Sequence, residues 1–117
     1  MAAQNLAKQI LEKDDLPLEP VEVPEWGITL YVKTMTGAER DRWELQQAES
    51  RRRNRINLRA SLVAITACDS NGDLVFSPDD VEALGRKSAA ALDRIAEVAM
   101  RLNHLLPDDL EKLEKNS

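Results

Sequence analysis

"ITACDSNGDLVFSPDDVEALG", residues 65–85, admits two readings that lead to different proteins. Asp69, Asn71, Asp73, Ser77 and Asp80 stand at the first, third, fifth, ninth and twelfth places of a calcium-binding loop. Such a loop requires glycine at the sixth place and a bidentate glutamate at the twelfth. Here Leu74 is sixth, the shorter Asp80 is twelfth, and Gly72 stands at the fourth. Asn71-Gly72 is instead a hairpin signal, because both residue types tolerate positive backbone angles. The stretch then reads as a tight turn pairing Ala67 and Cys68 with Leu74 and Val75, followed by a helix capped by Ser77 with Pro78 in its first position. Asp69 and Asp73 make the turn, Asp79 and Asp80 face the positive helix end, and Gly85 closes the helix. A calcium-binding module stands as the alternative.

Upstream, Thr36 and Glu39 have the spacing of a capping box at a helix start. From about residue 37 to the middle 60s there is no further Gly or Pro, which predicts one long helix. Its centre, "QQAESRRRNR", has hardly any apolar face, whereas "INLRASLVAITA" is apolar almost all round. The middle is expected in solvent and the C-terminal part in the core. The residues just before Asp69 also fit a short strand.

Before that helix the hydrophobic period is two. Val21 and Val23 precede "PEWG", and Ile28, Leu30 and Val32 follow it, which predicts a hairpin with one buried side. Trp26 at its tip reads either as packing over the core edge or as an exposed anchor for a partner. "DDLPLEPVEVPE" suits an extended connector and an exposed strand. Leu6, Ile10 and Leu11 lie at helical spacing in residues 1–13, a short amphipathic helix that needs something to dock on. Downstream, Leu92, Ile95, Ala96, Ala99, Leu102 and Leu106 share one face of a second amphipathic helix, capped by Ser88 and interrupted by Pro107. The organisation is a helix over 1–13, a single domain over 14–106 and a flexible tail over 107–117. The fold class is α+β: a small, mainly helical domain with an N-terminal β-hairpin and a second short hairpin.

Aromatic residues make up only 3% of the chain, so its surface offers little for stacking bases or sugars. The formal charge of -5 opposes general binding to nucleic acid or to an anionic membrane. One cysteine and one histidine fall short of a zinc site, and neither a signal peptide nor a membrane span is expected. His104 and Cys68 have no partners at catalytic spacing, so an enzyme is not expected, nor a cofactor. The arginine run 51–59 supports three readings: a solvated face paired with Glu44 and Glu49, a contact with an acidic protein, or phosphate tracking. Residues 14–25 have the acidic surplus to supply such a contact from a neighbouring copy.

"VEVPEWGITLYVKTMTGAERDRWE" together with "LVAITACDSNGDLVFSPDDVEALGRKSAAALDRIAEVAMRLN" resembles the tail assembly chaperones of long-tailed bacteriophages. The likeness covers about residues 20–104 and lies in the order of its parts: hairpin, Thr-Gly-Ala-Glu-Arg helix start, Asp-x-x-Gly turn and Ala-rich helix. It implies a small factor in the host cytoplasm, absent from the mature virion, that binds the tape measure protein, keeps it soluble and promotes tail tube assembly. The tail tube protein would be engaged indirectly or through a longer form made by ribosomal slippage, for which Glu114-Lys115-Asn116 permits a slip-prone codon string. A homo-oligomer is expected. The alternative is a structural or connector protein retained in the particle. From surface chemistry the candidate partner-binding residues are Leu6, Ile10, Trp26, Arg51, Arg52 and Arg55.

Overall fold

The computed structural model describes residues 2–53 and 57–105. They form a small α+β domain with five α-helices and a three-stranded antiparallel sheet. Helix α1 spans Ala2–Leu11. Strands β1, Leu18–Val23, and β2, Ile28–Lys33, make the first hairpin, and α2 follows over Gly37–Arg52. Helix α3, Leu58–Thr66, runs directly into the two-residue strand β3, Ala67–Cys68. A 3-10 turn at Pro78–Asp80 leads into α4, Val81–Leu84, and α5 is Ala89–Leu102.

The first hairpin follows its sequence pattern. Val21 faces Leu30 and Val23 faces Ile28; Val21, Val23, Leu30 and Val32 fall on one buried side, whereas Ile28, expected with them, is 49% exposed where the strand leaves the turn. Gly27 takes φ +65° at the end of the turn, a backbone state that is cheap for glycine. Strand β2 occupies the middle of the sheet, pairing Tyr31 with Cys68 and Val32 with Ala67. Pro20, which has no N–H to donate, lies on the edge strand β1, where a sheet tolerates it. Helix α5 packs across β1 and β2, and α3 packs on α5. Ile95, Ala99, Leu62 and Val63 thereby join the buried strand residues in a single core.

The second hairpin forms at the quoted stretch. Asp69 N–H donates to Asp73 O at 2.9 Å, Gly72 N–H to Asp69 O at 3.0 Å, and Val75 N–H to Ala67 O at 3.1 Å. Only Gly72 takes a positive φ, +86°, while Asn71 does not, so the turn is the three-residue kind with one left-handed position. Asp69 Oδ1 accepts from the amides of Asn71 and Asp73 at 2.8 and 3.1 Å. Asp80 in turn accepts from the amide of Ser77 at 2.9 Å. Carboxylates that resemble ion ligands in sequence are turned onto their own backbone.

Two expectations are corrected. The single long helix is two helices, with Asn57 at φ −128°, ψ 60° before α3. Trp43 Nε1 donates to Ser61 Oγ at 3.1 Å across 18 positions, which a continuous helix would hold about 27 Å apart. Trp43 is the cause: at 1% exposure it is the one large apolar side chain that α2 buries, and α3 must fold back to cover it. Likewise α5 does not continue to Pro107 but ends at Leu102, where His104 adopts φ +54° and Leu105 N–H returns to Met100 O at 2.8 Å. The predicted face of α5 is otherwise buried through Ala99 and half-buried at Leu102, while Leu106 and the tail lie outside the described residues.

Asn103 ties this helix end to the rest. Its buried Oδ1 accepts from Met35 N–H at 2.7 Å, and its Nδ2 donates to Ala99 O at 2.9 Å. The Arg40 guanidinium reaches its main-chain oxygen at 3.3 Å. The start of α2 is fixed beside it by the expected capping box: Glu39 N–H donates to Thr36 Oγ1 at 3.1 Å, and Thr36 N–H to Glu39 Oε1 at 2.8 Å.

Candidate functional site

A surface that binds another chain needs apolar area that its own fold leaves uncovered. Helix α1 supplies the first piece. Its stripe carries Leu6, Ile10 and Leu11 at 57%, 61% and 85% exposure, and none of its residues is buried.

The second piece is a groove between α3 and α5, about 420 Å³ in volume. Leu58 and Met100, both half-buried, line it over a floor of Leu62, Leu92 and Ala96 that the domain already buries. Its rim is charged, with Arg59 and Asp93 paired at 2.6 Å and Lys87 and Glu97 beside them. Gly85 lies on its wall. It has an ordinary helical backbone, φ −62°, rather than the left-handed cap expected of it. A side chain there would meet Asn57 Oδ1 at 2.7 Å, so glycine serves close approach between the α4–α5 link and the start of α3.

The predicted partner-binding residues are not brought together. Leu6 and Ile10 share the face of α1, Trp26 is half-buried against the core at the hairpin tip, and Arg51 and Arg52 lie in the last turn of α2. Arg52 and Arg53 both bond Glu49, at 2.6 and 3.0 Å, and Arg51 is half-buried and not a free charge. Arg55 lies outside the described residues. The acidic stretch is also engaged within the chain: Glu25 bonds Arg94 at 2.8 Å and Glu19 bonds Arg101, which clamps β1 to α5. The Arg94 hydrogen bond holds the Glu25 carboxyl below its ordinary range. Such exposed pairs orient more than they stabilise.

The nucleophile and the imidazole stand apart. Cys68, in the first strand of the second hairpin, is fully buried, and burial pushes its thiol up. His104 is exposed at the left-handed position after α5. Among the described residues no group of three or more His, Cys, Asp or Glu is gathered to hold a metal ion, and no helix is long and apolar enough to cross a membrane. What the surface presents is an apolar groove with a charged rim and an uncovered amphipathic helix.

No family model matches the chain, and no curated protein sequence does. Among solved structures it is similar to the bacteriophage HK97 tail assembly chaperone, with a TM-score of 0.61 and 23% sequence identity. The likeness covers 89% of this chain and 98% of that one. The domain therefore has the fold of a tail assembly chaperone.

Proposed function

We propose that this protein is a tail assembly chaperone of a long-tailed bacteriophage, a non-enzymatic factor of the host cytoplasm that is absent from the finished particle. The observation that carries the reading is the likeness of fold along nearly the whole chain to a protein with that role. Its client is the tape measure protein, whose long apolar helices need cover before the tail tube encloses them. Apolar helices are covered by grooves of matching chemistry, and the α3–α5 groove has that form. The arginines of α2 remain a second contact for acidic parts of the client, and tail tube subunits arrive through a longer, slippage-extended form.

Magnitude supports a transient grip. Burying three or four aliphatic side chains yields roughly 1.5–3 kcal/mol each, much of which is offset by the roughly 4–15 kcal/mol cost of association. A single groove therefore holds weakly, and several copies along one client hold by avidity. Weak individual contacts also let tube subunits displace the chaperone.

The test is co-expression with the tape measure protein encoded in the same genome. The wild-type chain keeps it in the soluble fraction, and Met100→Glu, which puts a charge at the half-buried edge of the groove, returns it to the pellet while remaining folded itself. Recovery of a soluble client without the chaperone, or full activity of the Met100→Glu variant, overturns the reading. Mass spectrometry of purified virions separates it from a structural connector, which would be present at fixed stoichiometry.

A further inference from the structure

We propose that Asn71 is a site of spontaneous deamidation, and that the turn of the second hairpin controls the reaction by holding the attacking nitrogen. Asn71 is the one asparagine of the chain that is followed by glycine. The Gly72 main-chain nitrogen gives up its proton to solvent base and forms a bond to Cγ of Asn71. The Cγ–Nδ2 bond breaks, Nδ2 leaves as ammonia with a proton taken from water, and a five-membered succinimide remains. Water then adds to either ring carbonyl, giving aspartate or isoaspartate. One water is consumed and one ammonia released, with no oxidant or cofactor. Glycine favours the ring because no side chain at position 72 obstructs closure.

The side chain is accessible, but the nitrogen is occupied. Asn71 is exposed and enters the turn's hydrogen bonds through its main-chain N–H. Asn103, by contrast, is buried with both side-chain groups bonded. The Gly72 N–H donates to Asp69 O at 3.0 Å. Asp69 Oδ1 accepts from the amides on either side of Gly72, those of Asn71 and Asp73, at 2.8 and 3.1 Å. A carboxylate in that position opposes a second negative charge on the nitrogen between them. Deamidation therefore waits for the turn to open, and exposed turns open locally at far less cost than global unfolding.

Conversion runs one way. Both products add a negative charge between Asp69 and Asp73. The isoaspartyl product also carries the main chain through the former side-chain methylene, so the loop closed by the Asp69 N–H to Asp73 O bond of 2.9 Å gains one main-chain atom. A three-residue turn set by Gly72 at φ +86° has no place for that atom, and the bond does not re-form. A copy whose hairpin has stayed open is thereby marked, next to the buried Cys68 that the same hairpin bridges to Leu74.

The test incubates the full chain in mildly alkaline buffer, with and without guanidinium chloride, and then cuts it with trypsin. The fragment 60–86, released at Arg59 and Arg86, contains no other Asn or Gln, so its conversion reports on Asn71 alone. In denaturant it gains the mass of amide-to-acid exchange and accepts label from an isoaspartyl methyltransferase. In the folded chain both changes are at least about tenfold slower, as expected for a turn held by bonds to a carboxylate. Asp69→Ala, shown to be folded by circular dichroism, loses that protection and converts at least about tenfold faster than the wild type in native buffer. Should the variant not fold, the wild-type comparison decides alone. Equal rates with and without denaturant, an Asn71 that stays intact in denaturant, or a folded Asp69→Ala chain that converts no faster than the wild type each overturn the proposal.

Discussion

Replacing Asn103 by alanine is expected to destabilise the domain by about 2–4 kcal/mol. The change removes the acceptor that Met35 N–H meets at 2.7 Å and the donor that Ala99 O meets at 2.9 Å. Met35 is 6% exposed and Asn103 7%, so water does not take over either partner. A buried amide left without an acceptor costs about 1–3 kcal/mol, and the lost bond to the Ala99 carbonyl adds about 1. The Arg40 bond to the main-chain oxygen at position 103 survives, because it does not depend on the side chain. At roughly 4 °C per kcal/mol for a domain of this size, the melting temperature falls by about 8–16 °C. Urea titration followed by the fluorescence of the buried Trp43 reads the change, with the slope against denaturant unaltered because the same surface is exposed on unfolding. A loss below about 0.5 kcal/mol, the range of an ordinary surface substitution, would refute the assignment of Asn103 as the tie between α5 and the start of α2.

The neighbouring residue responds in the opposite direction. His104→Gly relieves a left-handed backbone that costs a non-glycine residue about 1–2 kcal/mol, less the added freedom of the unfolded chain, and raises stability by about 0.5–1 kcal/mol in the same titration. Glu39→Gln alters the acid limb. Burial raises the Glu39 carboxyl, but the bonds from Lys33 and from the Thr36 amide outweigh it and leave it below its ordinary value of 4.5. Its stabilisation is therefore present above 4.5 and lost as pH falls through the lower folded value, so the variant is less stable at neutral pH and declines less steeply in acid. Cys68 resists an aromatic disulfide reagent in the native protein and reacts at the rate of unfolding, since it is both buried and held as the thiol; prompt labelling would contradict its burial in the hairpin's first strand.

Local chemistry was legible where one residue type does one job. The two-residue period around "PEWG" and the Thr36–Glu39 box predicted the structure found, and Asn71-Gly72 predicted the hairpin though not its turn type, because each is settled within a few residues. The break between α2 and α3 was not legible, since nothing near Arg53 opposes a helix and the reason lies in Trp43 seeking cover from α3. Gly85 misled for a similar reason: its lack of a side chain is used across space by Asn57, not along the chain. Of the candidate site, Leu6 and Ile10 were found by their spacing, while the groove depends on how two helices meet and has no signature within either.

The sheet's edges carry a consequence for the chain at high concentration. One edge is β1, which holds Pro20 between Glu19 and Glu22, and the other, β3, is two residues long and already bridged to Leu74 by its own hairpin. Neither offers the long, flat, unpaired backbone from which cross-β growth is seeded. Many copies can therefore gather at high local concentration without recruiting one another into amyloid-like stacks.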